Sequence, residues 1–438
     1  MQYIPNILFA IALLTGIGFF ARNVRKLIRN IKIGKQINRT DKKPERFKNM
    51  IKIALGQSKM IKRPLSGFLH VIVYIGFIII NIEVLEIIVD GILGTHRVFK
   101  GFLGDGFYGF LIATFEILAV LVFVSVIVFW TRRNIANIQR FLSKEMKGWP
   151  KNDGNFILYF EMVLMSLFLL MNAADIPFQN AAIGNPVSQF ITPIFSNFSE
   201  VTIHSIERTA WWLHILGILT FLNYLYYSKH LHILLAFPNT YFANLNPKGQ
   251  FSNIAAVTKE VKLMLDPEAD PYATSEYTTE ETVPEKFGAS DVTDLNWVQL
   301  LNAYTCTECG RCTSACPANL TGKVLSPRKI MMDTRDRLEE VGRNIDANKG
   351  KFVEDGKQLL YDFITPEELW ACTSCSACVE ECPVNIDPLS IIIDMRRYLV
   401  MEKSAAPQEL NMMMANIENN GAPWQYNQQD RLNWATEE

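Results

Sequence analysis

No cysteine precedes residue 306, and histidine is rare, with six in 438 residues. The chain has no glycine-rich dinucleotide loop after a strand, no phosphate loop and no nucleophile constellation, so nucleotide-dependent and hydrolytic chemistry have no visible seat. Apolar runs of membrane length are also missing from residue 239 onward. Ahead of that point they are abundant. Those near 3–20, 66–89, 107–130, 156–176 and 211–237 each approach the ~20 residues that an α-helix needs to cross a bilayer. The pattern predicts a mostly α protein, a five-helix transmembrane bundle followed by a soluble half of roughly 200 residues, large enough for its own core.

The formal net charge of −1 conceals a segregation of charge. The segment 22–63 carries 15 Lys and Arg against two acids, and 131–154 carries six against two. The stretches 88–106 and 172–210 together hold three basic and five acidic residues. The positive-inside rule then predicts an outside N-terminus, both basic loops inside, and the soluble half delivered to the cytoplasm of a prokaryote with the inner membrane as its location. In a soluble protein, 22–63 would read as a nucleic-acid arm, but its place between two apolar runs argues against nucleic acid and for lipid. The opening MQYIPNILFAIALLTGIGFFARNVRK has its basic cluster after the apolar run. That order is the reverse of a secretory signal and predicts an uncleaved first span.

All eight cysteines fall in two sets of identical spacing: Cys306, Cys309, Cys312 and Cys316 before Pro317, and Cys372, Cys375, Cys378 and Cys382 before Pro383. A reducing compartment disfavours disulfides. Structural zinc takes its cysteines as separated pairs, not three within seven residues. A [4Fe–4S] cubane needs a thiolate at each iron, and Cys-x2-Cys-x2-Cys wraps three corners with one loop. The fourth ligand comes from the other motif's last cysteine. The expected ligand sets are therefore Cys306, Cys309, Cys312 and Cys382 for one cluster, and Cys372, Cys375, Cys378 and Cys316 for the other.

The two copies read as an internal duplication, each leading to a proline-started apolar stretch, SPRKIMMDTR from 326 and DPLSIIIDMRR from 387. Ser326 before Pro327 predicts a helix cap. Thr365, Pro366 and Glu368 predict a capping box ahead of the second motif. This arrangement resembles the two-cluster ferredoxin-like module of heterodisulfide reductase, glycerol-3-phosphate dehydrogenase and succinate dehydrogenase iron–sulfur subunits. The tail NGAPWQYNQQDRLNWA is similar to the segment after the clusters in the first of these groups.

Two clusters need a membrane-side redox partner, and the histidines His70, His96, His204, His214, His230 and His232 are the candidates. Haem b with two histidine ligands needs imidazoles facing each other at one depth. His70, inside the second span, and His232, near the end of the fifth, are expected in the same leaflet. His214 lies 18 residues before His232, about 27 Å away on an unbroken helix at ~1.5 Å per residue. His230 is expected on nearly the opposite side from His232, since two residues make roughly 200°. The five spans with HILGILTFLNYLYYSKHLH resemble the cytochrome b subunit of membrane nitrate reductase and its relatives in heterodisulfide reductase. That resemblance implies haem ligands at His70, His232 and His214. The chain departs from the family at Ile80, where a second helix-two histidine belongs. One haem on His70 and His232 is expected, with a second on His214 and His96 as the lesser alternative.

Glu83, Glu86, Glu116 and Glu161 interrupt apolar runs. They read either as packing partners inside the bundle or as a proton route for a quinone. Residues 266–296 hold nine acids and one lysine and read as a linker, or as a segment wrapping against the basic stretch 22–63. The expected organisation is a cytochrome b-like membrane domain over 1–237, an acidic linker over 238–296, a two-cluster domain over 297–403 and a tail over 404–438. Every cysteine is assigned to a cluster, so substrate chemistry is expected on a cytoplasmic redox subunit bearing a cysteine-rich site or a flavin. The function implied is electron transfer between the quinone pool and that partner. The alternative is a haem-free anchor or redox-sensing scaffold with structural clusters.

Overall fold

Proline marks where the helices start. In the computed structural model, which describes residues 3–180, 185–268 and 286–436, the N-terminal half builds α1 (Ile4–Lys32), a short α2 (Lys43–Met50), α3 (Pro64–Leu93), α4 (Val98–Asn134), α5 (Trp149–Ala174) and α6 (Glu200–Tyr224). All but α4 and α6 carry proline in their first two positions, where its missing N–H has no helical partner to lose. Inside α4, Gly104 takes φ 73° and ψ 159° and kinks the helix ahead of the apolar stretch expected to span.

Four of these helices, α1, α3, α4 and α5, are long and apolar enough to cross a membrane, and the protein is a mostly helical membrane protein. The fifth, α6, carries Glu200, His204, Glu207 and Arg208 in its first three turns. Its 25 residues reach about 37 Å at ~1.5 Å each. The five close into a ring, α1 against α3, α3 against α4, α4 against α5, α5 against α6, and α6 back against α1. Phe9, Ile112, Phe115, Ala119, Phe168 and Ile215 fill its interior, while Ile7, Leu8, Ile11 and Leu14 of α1 face outward. Between helices in lipid, close packing replaces the hydrophobic effect as the attraction. Gly76 serves that packing, since a Cβ there would come within 2.5 Å of Val122 on α4.

The last apolar run does not form one helix. After Tyr224 come two 3-10 turns around Ser228, and a new helix, α7 (His232–Tyr241), begins. Ser228 is extended and its hydroxyl accepts from the His230 N–H, a local bond that competes with helix continuation. Asp153 secures the break by accepting from the Tyr224 hydroxyl at 2.6 Å and from the Lys229 N–H at 3.1 Å. His214 and His232 are therefore not on one continuous helix, and the axial spacing expected between them does not apply.

The C-terminal half is built on α8 (Trp297–Thr305), α9 (Arg311–Ser314), α10 (Pro327–Ala347), α11 (Ala377–Glu381) and α12 (Pro388–Met401). The expected caps form: Ser326 accepts from the Lys329 N–H, and Thr365 and Glu368 make a reciprocal capping box. Asp387 caps α12 in the same way. The α8 helix packs against α7, α10 and the end of α1. The basic segment after α1 lies on this half: the Lys35 N–H donates to the Leu295 carbonyl, and the Trp297 N–H donates to that of Lys35. Much of the acidic stretch 266–296 lies outside the described residues.

Candidate iron–sulfur and histidine centre

Each cysteine loop begins where a short helix stops. Cys306 caps α8, and Cys372 follows the helix Pro366–Trp370. Both loops then repeat one backbone pattern. Glu308 and Gly310 have φ of 54° and 71°, and the matching Ser374 and Ser376 have 57° and 59°. Left-handed residues at alternate positions curl the chain inward and turn its N–H groups toward one centre. Only one of the four is glycine, and strain of this kind in other residues collects at functional sites.

The structure brings the cysteines together across the two motifs. Cys306, Cys309, Cys312, Cys378 and Cys382 line one small cavity, and α9 packs against α11. The Ile386 N–H donates to Cys382 Sγ at 3.2 Å, and the Ser374 N–H donates to Cys372 Sγ at 3.4 Å. Burial pushes the Cys306 thiol up to about 12 and the Cys382 thiol up to about 11. Thiolates here need a cationic counterpart, which metal binding supplies as it displaces the protons.

Charged side chains tie these loops to the membrane face. Arg311, between Cys309 and Cys312, donates to the Lys59 carbonyl at 3.1 Å and to the Met60 carbonyl at 3.3 Å, just ahead of α3. Lys62 pairs with Glu380 at 2.7 Å. Glu308, between Cys306 and Cys309, pairs with Arg335 at 2.7 Å and with Lys229. Arg396 of α12 donates to the Leu369 carbonyl at 2.6 Å and to that of Cys372, holding the start of the second loop.

Lys229 leads directly to the histidines. Its carbonyl accepts from His232 Nδ1 at 3.1 Å, leaving Nε2 to face away. A ring nitrogen fixed by a backbone carbonyl is the usual support of a metal-binding imidazole. The His232 ring centre lies 6.5 Å from that of His70. An imidazole nitrogen binds a first-row metal at about 2 Å and lies about 1 Å from its ring centre, so two axial imidazoles stand about 6 Å apart. The pair fits that geometry. His70 Nδ1 is buried with no hydrogen-bond partner among the described residues. His230 does not stand apart from His232 as expected: the ring centres are 5.4 Å apart, across a 3-10 turn.

His214 stands apart, fully buried, with Nδ1 bonded to the Leu164 carbonyl at 3.0 Å and its ring beside Phe168. His96 contacts Asp175 at 3.1 Å, eleven residues beyond Leu164 and so about 16 Å further along the α5 axis. The structure does not bring His96 to His214, and no second imidazole accompanies His214 among the described residues. His204 lies beside Glu207.

Of the four bundle acids, two are packing partners. Glu86 accepts from the Tyr108 hydroxyl and the Phe99 N–H, and Glu116 from Asn172 and the Val187 and Ser188 N–H groups. Around them Arg97 binds Asp175 at 2.7 Å and Asn172 at 2.9 Å, a network that sequence reasoning missed because its members lie on loops and helix ends. One Glu83 oxygen is buried without a partner, and Glu161 makes no hydrogen bond or ion pair among the described residues.

Residues 305–386 match the 4Fe-4S dicluster domain family. Over 98% of its length the chain is 29% identical to the probable iron-sulfur-binding oxidoreductase FadF of Bacillus subtilis, covering 61% of that protein. It is 27% identical to the EtfAB:quinone oxidoreductase of Syntrophomonas wolfei over 92% of its length and 55% of that protein. Over 34% of its length it is 33% identical to the probable membrane-anchored ferredoxin of Chromohalobacter salexigens, covering 24% of that protein. The chain thus spans about three fifths or less of these relatives. No solved structure matches it. With two cysteine loops of one geometry inside the matched region, the chain carries a 4Fe-4S dicluster domain joined to a bundle with four helices long and apolar enough to cross a membrane.

Proposed function

We propose that the chain moves electrons between a lipid-soluble quinone and a cytoplasmic redox subunit, through two [4Fe–4S] clusters and a haem b held by His70 and His232. Cys306, Cys309, Cys312 and Cys382 hold the first cluster, and Cys372, Cys375, Cys378 and Cys316 the second. Haem bound to the two imidazoles supplies a one-electron couple at the inner edge of the bilayer. The N-terminus lies outside and the cysteine loops lie in the cytoplasm, on the side marked by the basic segments. The partner subunit carries the substrate site, a cysteine-rich centre or a flavin. The quinone link draws support from the similarity to a protein named for quinone oxidoreduction.

One observation carries this reading: Lys229 touches both centres, its carbonyl accepting from His232 and its ammonium pairing with Glu308 inside the first cysteine loop. The test is a reduced-minus-oxidised absorption spectrum of the purified full chain. A haem b band abolished by His70→Ala or by His232→Ala is the expected result. Absence of the band from the parent protein loaded with haem would leave the haem-free scaffold as the better account.

A further inference from the structure

His214 raises a question that the electron path leaves open. It is 2% exposed, its Nδ1 is engaged by Leu164, and its Nε2 has no protein partner among the described residues. The ring lines a cavity of about 80 Å³ inside the bundle, together with Val73, Gly76, Ile80, Glu161 and Phe221. Each water-sized occupant needs about 10–15 Å³ on this measure, so the cavity has room for about half a dozen heavy-atom groups, the size of one six-membered ring.

Three properties of the cavity point to one chemistry. Its walls are apolar except for His214, Glu161 and Asn81, so it suits a flat hydrophobic ring with a few polar edges. Phe77 and Asn81, both in its lining, are exposed on α3, so an occupant can reach it from the side of the bundle. Its inner wall touches the redox path: Phe221 packs 5.4 Å from His230, which packs 5.4 Å from His232. Glu161 precedes Leu164, the residue that anchors His214, by three positions, about 4.5 Å along the helix axis. An unpaired carboxyl and an unpaired imidazole nitrogen thus stand one turn apart around a ring-sized space.

We infer that this cavity is the headgroup site of a lipid-soluble quinone, with His214 Nε2 and the Glu161 carboxyl as the two proton-exchanging groups. The inference rests on the quinone reading above and supplies the site that reading lacks. In quinol oxidation the two O–H bonds break, one proton passes to His214 Nε2 and the other to Glu161. Two electrons leave one at a time toward the iron–sulfur centres, which pass them to the cytoplasmic redox protein. Reduction is the reverse, with that protein as electron donor and both groups returning their protons. His214 thereby receives a role other than haem ligation, consistent with Ile80 standing where a facing imidazole would be needed.

The experiment is equilibrium binding and photolabelling of the detergent-solubilised full chain with a short-chain azido-benzoquinone, in the parent, Glu161→Gln, His214→Gln and Ile218→Phe. Labels within 73–84, 161–165 or 214–221, with affinity lowered about tenfold or more in each variant, are expected. Ile218→Phe tests occupancy of the space without altering a titrating group. Labels confined to other segments, or unchanged affinity in all three variants, would overturn the site. The absorption spectrum of each variant separates the two readings: haem retained with quinone binding lost supports the site. Haem absent from the parent while labelling stays in the cavity removes haem from the electron path and keeps the site.

Discussion

Lys229 and Glu308 form a buried ion pair, their side chains 8% and 2% exposed, between the turn that carries His232 and the loop that carries Cys306 and Cys309. Breaking a buried pair by removing one partner costs about 3–5 kcal/mol, whereas replacing both with groups of similar shape costs far less. Lys229→Met is therefore expected to lower the thermal unfolding midpoint and loosen the first cluster. Lys229→Arg, which keeps a cation beside Glu308, should retain most of the midpoint. A Lys229→Met protein as stable as the parent would show that the pair is not the junction described.

The proposed crosswise use of the two last cysteines has a direct signature. Two cubanes hold about eight irons per chain, and loss of a ligand from one leaves about four. Cys382→Ala is expected to remove the paramagnetic signal of the cluster on Cys306, Cys309 and Cys312, and Cys316→Ala that of the other. If Cys382→Ala instead removed the cluster on its own motif, the cysteines would pair within motifs.

Ser228 shapes the histidine turn through one hydrogen bond to the His230 N–H at 3.1 Å. Removing a cap of this kind costs about 1 kcal/mol. Ser228→Ala is expected to weaken and broaden haem absorption with little change in iron content, and Ser228→Thr, which keeps the hydroxyl, to restore it. Equal spectra for all three proteins would detach the turn from the haem site.

Acid should unfold the C-terminal half in a defined range. Arg337, fully buried, donates to Asp291 at 2.8 Å and to Asp355 at 2.6 Å. Its hydrogen bonds hold the Asp355 carboxyl below the usual range. A depressed carboxylate stabilises the fold above its unfolded pKa of about 3.9 and loses that contribution as pH falls through the folded value. The unfolding midpoint of the parent is expected to drop below about pH 4. Arg337→Met should lose about 3–5 kcal/mol at neutral pH and show a shallower acid limb in chemical denaturation.

The cysteine spacing, the helix caps at Ser326 and Thr365 and the apolar runs were legible because each depends on residues close in sequence. The nearness of the His70 and His232 rings was expected from their depth and from the cytochrome b resemblance, and the two ring centres are 6.5 Å apart. What failed was continuity: the apolar pattern runs through 211–237, yet Ser228 and Asp153 break the helix, and Asp153 is some 75 positions from the turn it secures. The left-handed Glu308, Ser374 and Ser376 gave no sign, since none is glycine. The partnerships of Glu86 and Glu116 likewise depend on residues distant in the chain, so the sequence could name these acids without saying which were satisfied.

Asn30, at the end of the first membrane helix, donates to the Tyr304 hydroxyl across 274 positions of chain. At about 5–20 residues per second of synthesis, that partner leaves the ribosome roughly 14–55 seconds later. This contact, which joins the first membrane helix to the cysteine half, can form only after some 274 further residues have been made.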